Sequence, residues 1–197
     1  GEIKAIKMLR ETLIARNTPT ILLDTRKVIT RKKIDDAKIP VLFVELENGQ
    51  NGTLTLYPGE GVGKTWIGAD GATITLQSGK IKATRGMRRD IMGSTSSAPT
   101  WSNIKDISEY SRRISYLEGD NQTYSKTFSC TMRKHDKHTS ITIFDVPFDV
   151  QEYVETCMST TDIFENTYFV DSKNVVRRSR QYHGPALGYL LIERLER

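Results

Sequence analysis

The chain has 197 residues, 37% of them hydrophobic, and a formal net charge of +5 at pH 7. That length suits a single domain with a sizeable core, and the aromatic content excludes a disordered tail. No apolar run reaches the roughly 18 residues that a membrane-crossing helix needs.

Taken in order, residues 2–16 place Ile3, Ile6, Leu9, Leu13 and Ile14 near one face, the pattern of an amphipathic helix that Asn17-Thr18-Pro19 stops. Its polar face carries acids as well as bases, so packing against the domain is favoured over a membrane surface. The expected division is therefore 1–19, helix and linker, and 20–197, one domain. Thr30 stands as an N-cap for a short helix over Arg31 to Ala37, and Pro40 closes it. Val41 to Leu46 and Thr53 to Tyr57 read as a hairpin across Glu47 to Gly52.

Pro58 to Thr65, PGEGVGKT, mimics a phosphate-binding loop, but Pro58 occupies the first glycine position and a strand pattern follows where a helix should begin. A glycine-rich turn is the better account, and no cofactor is expected. Thr65 to Gly86 then alternates Ile67, Ile74, Leu76 and Ile81 with small or polar residues around two turns, Ala69-Asp70-Gly71 and Gln77-Ser78-Gly79. This predicts a three-stranded meander. Met87 to Ile107 is the least regular stretch. Strands are expected at Glu109 to Leu117, Gln122 to Arg133, Ser140 to Val146, Gln151 to Met158, Asn166 to Val170, Val175 to Tyr182 and Gly188 to Leu195. So many short strands indicate a mainly β, antiparallel, barrel-like single domain with an N-terminal amphipathic helix.

The basic clusters at Arg26 to Lys33, Arg85 to Arg89, Arg112-Arg113 and Arg177 to Arg180 come without a nucleic-acid motif, so no nucleic-acid partner is expected. His135-Asp136-Lys137-His138 lacks a third metal ligand and reads as an exposed hairpin tip. His183 reads as a packing or hydrogen-bonding residue at a turn. No nucleophile elbow or triad spacing occurs. Asp70, Asp145, Asp149 and Glu193 are the carboxylates that a barrel would have to bring together for glycosidase chemistry. Trp66, Trp101, Tyr168, Tyr182, Arg178 and Gln181 are of the types that hold sugars, although Trp66 alone reads as core packing. Two cysteines, Cys130 and Cys157, permit one bridge, which an oxidising compartment would close and a reducing one would leave open.

Two blocks carry a family resemblance. Trp66, Gly68-Ala69-Asp70-Gly71, Gly79-Lys80-Ile81 and Thr84-Arg85-Gly86 resemble the signature hairpins of the GfcB/YjbF lipoproteins. Ser179, Gln181, Gly184, Pro185 and Gly188, within Tyr168 to Leu195, resemble that family's closing strands. The resemblance implies a non-enzymatic, lipid-anchored accessory protein in capsule or exopolysaccharide assembly and export, facing the periplasm at the bacterial outer membrane. Its implied partners are outer-membrane polysaccharide export components and the polysaccharide itself, with membrane attachment only through a lipid anchor that this chain does not contain. Family members begin with a cleaved signal and a lipid-bearing cysteine, so Gly1 is expected near the mature start of a chain trimmed of its anchor. The alternatives are a periplasmic carbohydrate-active enzyme or glycan-binding module and, behind these, a nucleotide-binding protein. The periplasmic setting predicts a Cys130–Cys157 bridge. Should the two blocks lie side by side, Trp66, Asp70, Thr84, Arg178 and Gln181 would form one glycan or partner surface.

Overall fold

The computed structural model describes residues 24–197, and the expected helix over residues 2–16 lies outside them. Asp24 accepts from the Arg26 amide at 3.1 Å to start α1, Thr25–Val28, and Thr30 accepts from the Lys33 amide at 3.4 Å to start α2, Arg31–Ala37. Each cap satisfies an amide that a helix start leaves open. Lys38, at φ 52°, ends α2, and Pro40 prevents its continuation.

Twelve strands follow: β1 Val41–Leu46, β2 Asn51–Leu56, β3 Lys64–Gly68, β4 Thr73–Gln77, β5 Lys80–Arg85, β6 Ile91–Ser96, β7 Ile107–Leu117, β8 Thr123–Ile143, β9 Val146–Met158, β10 Ile163–Asp171, β11 Val176–Gly184 and β12 Gly188–Arg194. They form one antiparallel sheet in the order β5-β4-β3-β2-β1-β12-β11-β10-β9-β8-β7-β6. The two end strands, β5 and β6, pack beside each other without a shared ladder, so the barrel is nearly closed. The fold is thus mainly β and barrel-like, and the Thr65 to Gly86 meander is β3 to β5.

Alternation decides what fills the barrel. Leu42, Trp66, Ile74, Ile114, Phe128 and Ile192 project from six different strands into one interior cluster. Burying an aliphatic or aromatic side chain of this kind contributes about 1.5 to 3 kcal/mol. The opposite face of β1 packs Phe43 with Ile29, Ile34 and Leu195 beneath the two helices. Ile141 and Ile143 join that outer cluster because the far half of the β8–β9 hairpin leans over it. Arg31 fastens the hairpin there, donating to the carbonyls of Ile143 at 2.8 Å, Phe144 at 2.7 Å and Leu195 at 2.7 Å.

Three local expectations change. The sequence predicts two strands around a hairpin tip at His135 to His138, whereas β8 runs unbroken for 21 residues with a register shift between Lys134 and His138. None of these residues takes a positive φ, and Gln151 on β9 donates to the His135 carbonyl, so the run bulges without turning. The turn falls instead at Phe144 and Asp145, at φ 44° and 66°. Met87 to Ile107 is more regular than expected, holding β6 and a short 3₁₀ turn, Trp101–Asn103, whose tryptophan is buried. His183 lies within β11 and not at a turn.

Cys130 and Cys157 stand opposite each other on β8 and β9 and are joined as a disulfide, with Cα atoms 4.1 Å apart. Both face the barrel interior.

Candidate functional site

The two family-like blocks meet through the interior, where the β4–β5 turn is clamped from the far wall. Gln181 of β11 accepts from the Ile81 amide at 2.9 Å and donates to the Gly79 carbonyl at 2.8 Å. Trp101 donates through Nε1 to the Ser78 carbonyl at 2.8 Å. Gly79 sits at φ 79°, and a Cβ there would lie 2.3 Å from the Val176 side chain, so only glycine lets the turn lie this close to β11.

Beneath the turn lies a buried polar hub. Glu155 of β9 is fully buried and accepts from Arg112 at 2.9 Å, Asn166 at 2.7 Å, Tyr168 at 2.9 Å and Tyr110. Burial pushes the Glu155 carboxyl up, but Arg112, Lys80 and these donors outweigh it and hold it below the ordinary carboxylate range. Burial, reinforced by Glu155, keeps the Tyr110 and Tyr168 phenols protonated as donors. With both oxygens engaged, Glu155 is a structural anion and not a waiting base. The two sulfurs near it bond to each other, so that group does not offer a metal site.

A second buried set closes the other end of the β5–β6 seam. Thr84 donates to Asp90 at 3.0 Å, meets His183 Nε2 at 3.0 Å and accepts from the Ile91 amide at 3.0 Å. The Thr84 proton goes to Asp90, so His183 must donate to Thr84. This order is the reverse of an activated nucleophile, in which the histidine takes the hydroxyl proton. Burial draws the His183 imidazole down to about 4, leaving it neutral at pH 7. Asp90 also accepts from the amides of Gly86 at 2.9 Å and Met87 at 3.0 Å, and Arg85 crosses to the Ile91 carbonyl at 3.1 Å.

Farther along the seam the strands part around a cavity of about 170 Å³. Lys80 and Lys82 border it from β5, Ser94 and Ser96 from β6, with Trp101 and Arg112 beyond. The Lys80 ammonium lies 4.8 Å from the Trp101 ring, 5.4 Å from Tyr110 and 5.9 Å from Tyr168. Burial lowers its pKa to about 8, with Glu155 opposing and Arg112 assisting. Across the β4–β5 turn lies a larger cavity of about 430 Å³, bordered by Lys64, Trp66, Ser179 and Arg194.

The five residues expected on one surface do not share one. Trp66, Thr84 and Gln181 are buried inside, and Trp66 Nε1 has no partner among the described residues. Asp70 is exposed in the β3–β4 turn and accepts from the Ala72 amide at 3.0 Å. Arg178 faces outward, pairing with Glu193 at 2.6 Å and donating to the Thr142 carbonyl at 2.8 Å. The reason is parity: residues three apart on a strand point to opposite faces, so Arg178 and Gln181 cannot act together. The candidate carboxylates also stay apart. Asp145 is in the β8–β9 turn, Asp149 is exposed on β9, and Glu193 is buried beneath Arg26 and Arg178. Among the described residues these four share no hydrogen bond and no cavity. Lys64 opens β3 directly, so no helix dipole backs the PGEGVGKT loop.

Sequence reasoning missed Glu155, Arg112, Asn166 and Asp90 and did not assign Lys80 a role. A signal was available for Glu155 and Arg112: each sits in the buried phase of its strand, between Tyr153 and Cys157 or beside Ile114 and Tyr116. A charge in the apolar phase calls for a buried partner.

Residues 7–195 match the family model described as group 4 capsule polysaccharide lipoprotein gfcB, YjbF. The crystal structure of the hypothetical lipoprotein YmcC from Escherichia coli K12 superposes with a TM-score of 0.78 at 22% identity, covering 92% of this chain and 98% of that one. That likeness speaks for the fold. No curated protein matches in sequence.

Proposed function

The chain belongs to the group 4 capsule polysaccharide lipoprotein family, GfcB/YjbF, and from that membership we propose a non-enzymatic accessory protein in capsule or exopolysaccharide assembly and export. It acts as a lipid-anchored protein facing the periplasm at the bacterial outer membrane, alongside export components and the polymer they carry. Family membership over residues 7–195 carries this reading. The interior chemistry supports it: Glu155, Thr84 and His183 are engaged with one another or with neighbours and are poised for no proton transfer. A glycan-binding role within that setting has its own support in the polar seam cavity beside Lys80 and Trp101.

The test is deletion of the gene and complementation with the anchored full-length protein. Surface polymer and polymer retained in the cell are measured, and purified polymer incubated with the protein is assayed for new reducing ends. Loss of surface polymer without cleavage is expected. Normal surface polymer in the deletion strain would remove the export role, and released reducing ends would make the protein an enzyme.

A further inference from the structure

We propose that the cavity at the β5–β6 seam is a binding subsite for an anionic sugar, a ring bearing a carboxylate or a phosphate, with Lys80 as the charge partner and Ser94 and Ser96 as hydrogen-bond donors. The capsule reading supplies only the source of the sugar; the binding argument rests on the cavity.

The first observation is a charge imbalance. Among the described residues, three cations border the cavity and no carboxylate does. Arg112 is already committed to Glu155 at 2.9 Å, and Lys82 donates to Gln77 at 3.2 Å. Lys80 has no carboxylate of the described residues within ion-pair distance, and its ammonium lies over three aromatic faces. A mostly buried ammonium set over aromatic rings without a paired carboxylate among the described residues retains its demand for an anion, because cation–π contact replaces a fraction of lost hydration. The hub itself, Arg112, Lys80 and Glu155, carries two positive charges against one negative.

The second observation is hydroxyl polarity. Ser94 Oγ accepts from Arg112 Nε at 3.1 Å, and Ser96 Oγ accepts from the Ala98 amide at 3.0 Å. Each hydroxyl therefore keeps its own proton to donate, which suits an oxyanion or a sugar oxygen. The third is size. At about 170 Å³ the space falls below the range of nucleotide and drug-sized sites and suits one sugar unit, with the chain leaving through the open seam.

Isothermal titration calorimetry of the full chain at pH 7 uses trigalacturonate and mannose 6-phosphate as the two anionic probes, with maltotriose as the neutral sugar and inorganic phosphate as the bare anion. At least one anionic sugar should bind, and which one does distinguishes the carboxylate from the phosphate form. Lys80→Met should weaken it at least ~10-fold, the loss of one charge-assisted contact. Lys82→Met should weaken it far less. Should Lys80→Met fail to fold, the Ser94→Ala/Ser96→Ala protein and the pH dependence of the unaltered chain decide. The ammonium that attracts the anion is present below about 8 and is lost above it, so affinity should fall as pH rises from 7 to 9.5. Of the groups facing Lys80, Glu155 titrates below this window, while Arg112, Tyr110 and Tyr168 are held protonated through it. Lys82 is covered by its own variant.

Absence of binding by both anionic sugars, equal binding of maltotriose or of inorganic phosphate, or an affinity flat across that pH range would overturn the proposal. None of these outcomes depends on export. A deletion strain lacking surface polymer with no sugar bound in vitro leaves the capsule role standing and removes only the subsite.

Discussion

The wall made by β8, β9 and β10 and the seam between β5 and β6 close the same barrel by different means. In the wall, register is continuous from Ile163 opposite Met158 to Asp171 opposite Val150, and a disulfide joins β8 to β9. At the seam no ladder forms, and Thr84, Arg85, Asp90 and Arg112 span it with side chains. A ladder satisfies every backbone group at fixed spacing and leaves no room between strands. Side-chain closure satisfies only the groups it reaches, and the unspanned remainder is the cavity beside Lys80. Wall and hub therefore supply stability, and the seam supplies the place where a ligand can enter.

The largest effect expected is at the hub. Glu155→Ala leaves Arg112 buried without its anion and removes the carboxylate that three further donors share, so a loss of about 3 to 5 kcal/mol is expected from urea unfolding. The native carboxyl is held below its ordinary 4.5, so the unfolded chain binds more protons in acid. The stability due to Glu155 is then complete above 4.5 and is lost as pH falls through the lowered native value. A Glu155→Ala protein whose acid unfolding matches that of the unaltered chain would show the hub to be dispensable.

Next comes the bridge in the wall. It closes a loop of 27 residues, worth about 3 to 4 kcal/mol in the chain-entropy model. Unreduced, denatured protein should titrate no thiols, and Cys130→Ala/Cys157→Ala should lower stability by that amount. Two thiols per chain would remove the bridge from the account of the wall.

The seam should give a smaller and more local response. Asp90→Ala removes the acceptor for Thr84, Gly86 and Met87, which costs about 2 kcal/mol. Amide exchange should quicken at Gly86, Met87 and Ile91 while the β9–β10 ladder keeps its protection. Equal loosening of the ladder would mean that the seam is not an independent unit.

How much of this was legible follows from the same contrast. Alternation with glycine-marked turns revealed the meander and the antiparallel barrel, because each apolar residue with period two declares its face. The long β8 was not legible. Its turn at Phe144 and Asp145 uses positive φ without glycine or asparagine, whereas the charged KHDKH run imitates a loop. The expected polar surface failed because charge and turn residues were assigned to solvent without applying the strand parity that had worked for the apolar ones. Glu155 and Arg112 could have been found by extending that parity to polar residues. The seam could not, since which two strands of a barrel remain unpaired depends on strand number and stagger, and these appear only after closure.

The smallest effect is expected at Lys64, just ahead of the first family-like block. Lys64 and Lys80 each border a cavity on one side of the β4–β5 turn, but Lys64 is exposed at the start of β3, where its side chain forms no ion pair with the described residues. The residue before it, Gly63, sits at φ 109°, where an added Cβ would lie 2.9 Å from the Leu76 carbonyl oxygen, a turn geometry that leads straight into a strand. A phosphate there would meet neither helix amides nor a helix dipole. Lys64→Ala should therefore change stability by no more than about 0.5 kcal/mol, and calorimetry with ATP or GTP and Mg²⁺ should detect no saturable binding before or after the change. Micromolar nucleotide binding lost in Lys64→Ala would reverse the contrast between the two lysines and assign the ligand to the larger cavity.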